Sequence, residues 1–479
     1  MDQLDTVTIL QSSVALPDPH VLSDAREGLN LLAAVYDALV RSDGREGFAP
    51  ALAEAWELAP DARTWTFRLR DGVRFHNGEA LVAADVVASF ERARNPGMGG
   101  SYGTDGVFRS YVAGAAVLAT DERTVQIVTE EPSADLLDLL VALPIVPRNA
   151  LADLPTRPVG SGPFRVVEAG DGKLGMEAFA HGWHGEPPAR RLRWVREPDH
   201  ERRVERLLAG EGDIATKVTP TGVRALRASS AGRAITMPAT TCIIFMCNLT
   251  AGVCADRRVR QALNHAVDVP RMVEELFDGA AERLHGPFTA LHRAYDPASH
   301  PYAHDPARAR QLLAEAGFPD GIALTLDIPT SMPDEARELA RYLVEDCAAA
   351  GIRVTVREHA DRVAYAYMVR DKQIGDLCLF DSSPPSTYRV LREKFHSGVQ
   401  GPWWQGYANA EVDRIIDAAH GVVNAEARAR LYQRAFNLIR DDAPWVFLYA
   451  PHAAWGISAH FAAAFPQWQL DADGIIRFG

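Results

Sequence analysis

The 479-residue chain lacks the features that mark several broad classes of protein. It has no run of about 18 consecutive apolar residues, the length that a membrane-spanning helix needs. Acidic residues outnumber basic ones by 63 to 50, and the net charge of −13 disfavours binding to a negatively charged nucleic-acid backbone. No P-loop, HExxH, GxSxG or GxGxxG string occurs, so these nucleotide-binding and catalytic classes have no support in the sequence.

Cysteine is also scarce. The chain has five, at Cys242, Cys247, Cys254, Cys347 and Cys378. None forms a CxxC pair, which disfavours a thiolate zinc site, and five are too few for a scaffold built on disulfides. Three of them lie close together in sequence and leave one disulfide open. Buried free thiols are the favoured interpretation, because free cysteine is among the most buried residue types.

The N-terminal residues 1–5 have neither the basic nor the apolar segment of a secretion signal. On composition alone, a cytoplasmic protein and the mature form of an exported protein both stay open.

What the chain does contain is typical of a soluble globular protein, with 47% hydrophobic and 24% charged residues. Its length predicts about three domains or one large two-lobed body. In the first half, alternating or apolar patterns predict strands at 7–10, 64–70, 124–128 and 164–167, and helical spacing predicts helices at 31–40, 83–93 and 201–208.

The second half alternates helices with strands, which predicts an α/β lobe. The apolar run 243–246 has the pattern of a strand buried on both faces. Predicted helices are 257–267, 271–277, 307–316, 334–349, 412–419 and 425–440, and predicted strands are 324–328 and 352–356.

Asp381 is the most informative polar residue, because it follows the apolar run 377–380 and is therefore expected at the carboxyl end of a buried strand. In open α/β sheets ligands bind at that edge. A turn or helix N-cap is the alternative role. Trp403, Trp404 and Tyr407 follow, and three aromatics so close together could wall a pocket or serve packing.

Several motifs resemble the extracytoplasmic solute-binding proteins of ABC importers, in particular the large family of dipeptide-, oligopeptide- and nickel-binding proteins. The longest is Trp-Thr-Phe-Arg-Leu-Arg-Asp-Gly-Val-Arg-Phe-His-Asn-Gly-Glu at 65–79. Other matching stretches are 36–40, 50–56, 84–86, 158–164, 256–264, 313–318, 406–409 and 412–413. Together they extend over nearly the whole chain.

The resemblance implies an α/β, two-lobed periplasmic-binding-protein fold of the large cluster with an extra domain. Lobe I would comprise 1–35, 160–247 and 455–479, the extra domain 36–159, and lobe II 248–454. The lobes would close by a hinge on a ligand held in the cleft between them. A protein of this kind is extracytoplasmic, is expected to be a monomer without cofactor or enzymatic activity, and delivers its ligand to a membrane permease.

At residue level, the resemblance implies that Asp381 holds the ammonium group of the ligand. A buried carboxylate needs a cation or several donors to stay charged, which fits this role. Two departures argue against an ordinary peptide: Cys378 stands where the family has Trp, and 382–385 replaces a Tyr-x-Asp/Glu-Pro stretch. The other predicted ligand-binding residues are Tyr388, Arg389, Trp403, Trp404, Tyr407, Asn248, Ser13 and Val14. Arg389 or Arg392 would pair with a ligand carboxylate.

The sequence therefore predicts a binding protein for a small amine-bearing solute: a short peptide, an opine-like compound or another amino-acid conjugate. The alternative within the same fold is a nickel or other metal chelate, with His396 as the candidate contact. A hydrolase lacks a nucleophile–base arrangement, and a cytoplasmic ligand sensor is suggested only by the absence of a signal segment.

Overall fold

The computed structural model describes residues 4–22, 26–43, 47–99, 107–154, 156–331, 333–463, 469–470 and 476–477. The chain divides into two compact units, the first formed by Met1–Met237 with Ala453–Gly479 and the second by Pro238–His452. The finer division into lobe I, extra domain and lobe II stays a prediction.

Helices and strands are numbered in chain order. Up to residue 237 they are β1 (Leu4–Gln11), α1 (Arg26–Val35), β2 (Val40–Ser42), β3 (Phe48–Pro50), β4 (Ala53–Leu58), β5 (Thr64–Leu69), α2 (Ala83–Ala93), α3 (Val107–Val112), β6 (Ala116–Ala119), β7 (Thr124–Val128), α4 (Leu137–Leu140), β8 (Phe164–Gly170), β9 (Lys173–Ala178), β10 (Ala189–Arg196), α5 (His200–Leu208), β11 (Ile214–Ala215), α6 (Pro220–Arg227) and β12 (Gly232–Met237).

The second unit and the C-terminal segment complete the set. They contain β13 (Cys242–Cys247), α7 (Arg257–Ala266), α8 (Val269–Phe277), β14 (Ala281–Arg283), α9 (Pro306–Glu315), β15 (Ile322–Pro329), α10 (Ala336–Ala349), β16 (Ile352–His359), α11 (Arg362–Arg370), β17 (Leu377–Ser382), α12 (Thr387–Lys394), α13 (Ala410–His420), α14 (Ala425–Asp442), β18 (Trp445–Pro451), β19 (Ala453–Ser458), β20 (Gln469–Leu470) and β21 (Ile476–Arg477). Among the described residues, no helix combines the length and apolarity needed to cross a membrane.

The first unit contains a seven-stranded sheet in the order β12-β19-β11-β1-β10-β9-β8 and a four-stranded sheet in the order β4-β5-β7-β6. In β5 the side chains of Trp65, Phe67 and Leu69 are buried, and Arg68 between the last two is exposed. This is the period-two pattern that predicted the strand. β19 pairs with β11 and β12, so the chain returns at residues 453–458 to the seven-stranded sheet of the first unit.

The helix predicted at 31–40 is wrong at its end, because α1 stops at Val35 and a strand begins at Val40. The backbone carbonyls of Ala38 and Leu39 accept hydrogen bonds from the N–H groups of Leu52 and Ala53. Those pairings require an extended chain, so long-range hydrogen bonding overrides the local helical pattern.

The second unit is built on a six-stranded mixed sheet in the order β14-β18-β13-β17-β15-β16. All six residues of β13 are buried, as the apolar run predicted, and the strand is central in the sheet, between β18 and β17. β15 runs parallel to both β16 and β17. The carboxyl ends of these three strands therefore meet at one edge of the sheet.

All five cysteines are buried free thiols, so the disulfide left open for the group at 242–254 is not formed in this structure. Burial raises the pKa of the Cys242 thiol to about 12. The Cys242 thiol therefore stays protonated at neutral pH and behaves as a small apolar side chain.

Candidate ligand-binding site

Asp381 lies at the carboxyl end of β17, where the sequence predicted it. Its side chain is 28% exposed, and its Oδ2 accepts a hydrogen bond from Ser383 Oγ at 3.1 Å. It does not cap the following helix, because the N-cap of α12 is Ser386, whose side chain accepts from the Arg389 N–H. The carboxylate thus has an accessible position at the sheet edge where ligands bind in α/β folds.

Arg362 is the charged neighbour of this carboxylate. Its Nη2 lies 3.6 Å from Asp381 Oδ1, and its side chain is only 12% exposed. The guanidinium carbon lies 5.1 Å from the ring centroid of Phe380 and 5.8 Å from that of Tyr365, both within the range of cation–π attraction. Two aromatic rings and one carboxylate therefore fix the position of the guanidinium.

Tyr365 is itself held rigidly beneath Arg362. Its hydroxyl oxygen lies 2.7 Å from the Leu379 carbonyl and 3.0 Å from the Asp327 carbonyl, which share its one proton and join α11 to β17 and β15. The ring is buried, and burial raises the pKa of the Tyr365 hydroxyl well above its ordinary value. The hydroxyl is therefore a permanent donor that anchors the aromatic support.

Asp327 is a second carboxylate near the same edge, and its environment is different. Its side chain is 1% exposed. Its oxygens accept from Arg357 Nη2 at 2.6 Å, from the Gly375 N–H at 2.7 Å and from His359 Nε2 at 2.8 Å. Because three protein donors occupy its oxygens and its side chain is buried, Asp327 connects β15 to β16 and to the segment before β17. It is therefore not available to a ligand.

The aromatic segment after residue 402 divides into two parts. Trp403 packs against Phe380, with ring centroids 4.8 Å apart, and so borders the Arg362 site. Trp404 instead donates its indole N–H to the Tyr407 carbonyl, and the Tyr407 hydroxyl donates to Asp442 at 2.8 Å. Burial raises the pKa of Tyr407. Roles in ligand binding for Trp404 and Tyr407 stay predictions.

Tyr388 and Arg389 point into the packing of the second unit. The Tyr388 ring stacks on His420 at 4.1 Å, and both Tyr388 and Arg389 are buried. Arg389 Nε lies 3.1 Å from Glu393 Oε1, in an ion pair whose two side chains are at most 5% exposed. The ligand-binding roles of Tyr388 and Arg389 stay predictions. The contacts that the two side chains make within the protein do not favour those roles.

Asn248, Ser13 and Val14 are on different units. Asn248 donates through Nδ2 to the carbonyls of Ile374 and Gly375, and its Oδ1 accepts from Thr250. In the first unit Ser13 is exposed and Val14 is buried. The ligand-binding roles of these three residues stay predictions.

His396, the candidate metal contact, has both ring nitrogens in use. Nδ1 accepts from the N–H groups of Gly398 at 3.1 Å and Val399 at 3.2 Å, so the proton lies on Nε2, which is 2.9 Å from Asp417 Oδ1. Across the part of the chain that the structure describes, no group of three or more His, Cys, Asp or Glu side chains is arranged to hold a metal ion.

Sequence reasoning missed Arg362 and chose Arg389 or Arg392 instead, because those residues are close to Asp381 along the chain. The signal for Arg362 was present, because the alternating strand predicted at 352–356 is followed by polar residues at 357–359 and 361–362. The rule that pointed to Asp381, a charged residue just past the carboxyl end of a strand, applies equally to Arg362.

A mixed α/β sheet with a partly exposed carboxylate at the carboxyl ends of its parallel strands is typical of proteins that bind a small molecule at that edge. Residues 47–396 match the model of the bacterial extracellular solute-binding proteins, family 5 middle. The chain belongs to this family. The predicted family, the periplasmic-binding-protein fold and the solute-binding role are thereby confirmed.

Curated relatives match over most of their length. Heme-binding protein A of Haemophilus influenzae is 28% identical over 449 residues, which cover 86% of this chain and 81% of that protein. The glutathione-binding protein GsiB of Pectobacterium atrosepticum is 27% identical over 465 residues, covering 93% and 88%.

Among solved structures, the periplasmic binding protein DppA of Helicobacter pylori in complex with the peptide STSA superposes with a TM-score of 0.83. The match covers 99% of this chain and 96% of that one, with 22% sequence identity. At this identity, the likeness supports the fold alone.

Proposed function

We propose that this protein captures a small amine-bearing solute and delivers it to the membrane permease of an ABC importer. The solute is a short peptide, an opine-like compound or another amino-acid conjugate. The protein works outside the cytoplasm, as a monomer, and catalyses no reaction on its ligand.

The observation that carries the proposal is the position of Asp381 at the carboxyl edge of the sheet. Its side chain is more than a quarter exposed, unlike that of Asp327 nearby. A charge-assisted hydrogen bond from a ligand ammonium to this carboxylate is roughly twice as strong as a neutral one. The name of the glutathione-binding relative supports a ligand of this kind, because glutathione carries an ammonium group.

The test compares Asp381→Asn with wild type in isothermal titration calorimetry against a panel of amines, dipeptides and opines. The substitution removes the charge and keeps the shape, so we expect at least a tenfold loss of affinity for any ligand bound by wild type. Asp320→Asn is the matched control, since Asp320 is an exposed carboxylate in a turn of the same unit. Equal affinities for wild type and Asp381→Asn would contradict the proposal.

A metal chelate is the second candidate ligand, and the name of the Haemophilus influenzae relative is the observation in its favour. The contacts of His396 weigh against direct metal ligation by that residue. This candidate would be favoured over an amine ligand if the protein bound the chelate only with its metal, and if His396→Ala lost that binding.

A further inference from the structure

The first unit contains two large hydrophobic cores. One packs α2 against the four-stranded sheet and includes Trp65, Phe67 and Phe90. The other packs α1 against the seven-stranded sheet and includes Leu31 and Trp194. The connections between the two cores are distinct from the packing inside each, and titratable side chains make several of them.

His20 makes the first connection. It lies in the segment that follows β1 of the seven-stranded sheet and is 2% exposed. Its Nε2 donates to the Pro144 carbonyl at 2.9 Å, and its Nδ1 accepts from Nη1 of Arg92, on α2, at 3.1 Å. Because an arginine is always a donor, Nδ1 carries no proton and the ring is neutral in this arrangement.

His76 makes the second connection in the opposite direction, from the segment after β5 to the turn that precedes β8. Its Nδ1 accepts from the Gly160 N–H at 3.3 Å, and its Nε2 donates to the Gly162 carbonyl at 2.9 Å. The Gly162 N–H in turn donates to the carbonyl of Val35, at the end of α1, at 3.0 Å. This ring is also neutral, since a backbone N–H occupies Nδ1.

The charges around His20 keep its ring from taking up a proton. Burial, the largest influence, lowers the pKa of His20 to about 4, and the positive charge of Arg92 acts in the same direction. Asp18 opposes this effect, but its carboxylate is engaged by Arg92 Nη1 at 2.8 Å. The Tyr36 hydroxyl, next to Asp18 and Arg92, completes the titratable groups of this cluster.

His76 has similar surroundings. Burial lowers its pKa, and the positive charge of Arg165 and the ring of His184 act in the same direction. Asp37 opposes them without outweighing them. Both connections therefore depend on a histidine that the surrounding protein keeps neutral.

We infer that the contacts of His20 and His76 form an acid-sensitive joint between the two cores of the first unit. A proton on Nδ1 removes the acceptor that Arg92 or the Gly160 N–H uses and brings two donors face to face. At His20 it also places one positive charge beside another. In acidic surroundings the joint opens while each core stays folded, a conformational response that goes beyond capture of a solute.

The size of the response follows from the shift at His20. A histidine released from the joint has a pKa of about 6.5, so the open form binds more protons as pH falls below that value. The closed form is destabilised down to its own pKa of about 4. Between pH 7 and pH 5 the opening constant should therefore rise about twentyfold through this one group.

Hydrogen exchange followed by mass spectrometry tests the joint in the wild-type protein at pH 7 and pH 5, with rates corrected for the intrinsic effect of pH. Protection of peptides that contain 15–22 and 158–163 should fall at least tenfold. Protection of β5 and β10, which belong to the two cores, should change less than about threefold. The experiment needs no ligand, so its result is independent of the proposed function.

Two substitutions assign the response to the histidines. Glutamine keeps a donor for Pro144 or Gly162 but takes up no proton in this pH range. His20→Gln should reduce the acid-induced loss of protection at 15–22 to less than about threefold, and His76→Gln should do the same at 158–163. His460→Gln, at an exposed histidine of the same unit, is the control and should behave as wild type.

Each outcome decides the inference. Equal protection of the joint peptides at pH 7 and pH 5 in wild type overturns it. A loss of protection spread evenly over joint and core peptides also overturns it, because that is global acid unfolding. An undiminished acid response in both glutamine variants removes the histidines from the mechanism. If a variant fails to fold at pH 7, as judged by circular dichroism, the comparison of joint and core peptides in wild type still decides.

Discussion

Asp37 in the first unit and Asp381 in the second are both carboxylates at the end of a regular element, Asp37 shortly after α1 and Asp381 near the end of β17, but their surroundings differ. Asp37 is 10% exposed and accepts from Ser161 Oγ at 2.8 Å, Trp183 Nε1 at 3.0 Å and His184 Nε2 at 2.9 Å. Asp381 is 28% exposed, with a serine donor and an arginine at 3.6 Å.

The comparison teaches how to tell a structural carboxylate from one that serves a ligand. Protein donors occupy the oxygens of Asp37, so its charge is stabilised by the fold and in turn holds the loop at 158–164 in place. Asp381 keeps solvent access at an edge of the sheet, so part of its charge remains to be compensated by an incoming cation. Four expected results sharpen this contrast.

The largest effect is expected for Asp37→Asn. The amide cannot accept from three donors at once, so we expect a loss of about 2 to 3 kcal/mol in the free energy of unfolding. Asp381→Asn, at a partly exposed position with one serine donor and an arginine at 3.6 Å, should cost less, about 1 kcal/mol. Urea unfolding followed by circular dichroism measures both. Equal losses would remove the distinction between the two carboxylates.

The dependence on pH follows from the sign of the Asp37 shift. Burial alone would raise the pKa of Asp37, but the charge of His184 and hydrogen bonds from His184, Trp183 and Ser161 outweigh it and lower the pKa. A lowered folded-state pKa stabilises the fold above the unfolded value of about 3.9, and this contribution is lost as pH falls through the folded value.

The stability gap between wild type and Asp37→Asn should therefore be full at pH 6 to 7 and shrink below about pH 4. Thermal unfolding at a series of pH values measures it. A gap that stays constant down to acid pH would show that the charge of Asp37 contributes nothing and that only its shape matters.

A smaller effect is expected for Trp403→Ala, on affinity. Trp403 supports Phe380, which in turn holds the Arg362 guanidinium. An aromatic pair contributes about 0.5 to 1.5 kcal/mol, so affinity for any ligand that wild type binds from the panel of amines, dipeptides and opines should fall about twofold to tenfold. Val423→Ala, at an exposed apolar residue of the same unit, is the control and should not change affinity. Unchanged affinity in Trp403→Ala would show that Trp403 does not contribute to ligand binding.

The smallest effect is expected for His396→Ala. Both ring nitrogens already form hydrogen bonds within the protein, so affinity for an amine ligand of the panel should change less than about twofold, with or without added nickel. Calorimetry in nickel and in chelator measures it. A nickel-dependent gain that disappears in the variant would instead favour the metal chelate.

Local patterns were enough for much of the second unit. The apolar run at 243–246, the alternation at 352–356 and the helical spacing at 425–440 each predicted an element that the structure contains. These patterns depend on neighbours a few residues apart, which is the range over which helix and strand periods act. The helix predicted past Val35 failed because hydrogen bonds to residues 52 and 53 decide that segment.

The sequence by itself determined that a carboxylate stands at the end of a buried strand, because an apolar run followed by Asp381 is a local feature. Only the tertiary structure decided which arginine accompanies it. Arg389 is nearer in sequence, but its helix turns it towards Glu393 in the core. Arg362 reaches Asp381 because parallel strands bring their carboxyl ends to one edge, and that pairing between distant segments is set by packing and backbone hydrogen bonds rather than by any local pattern.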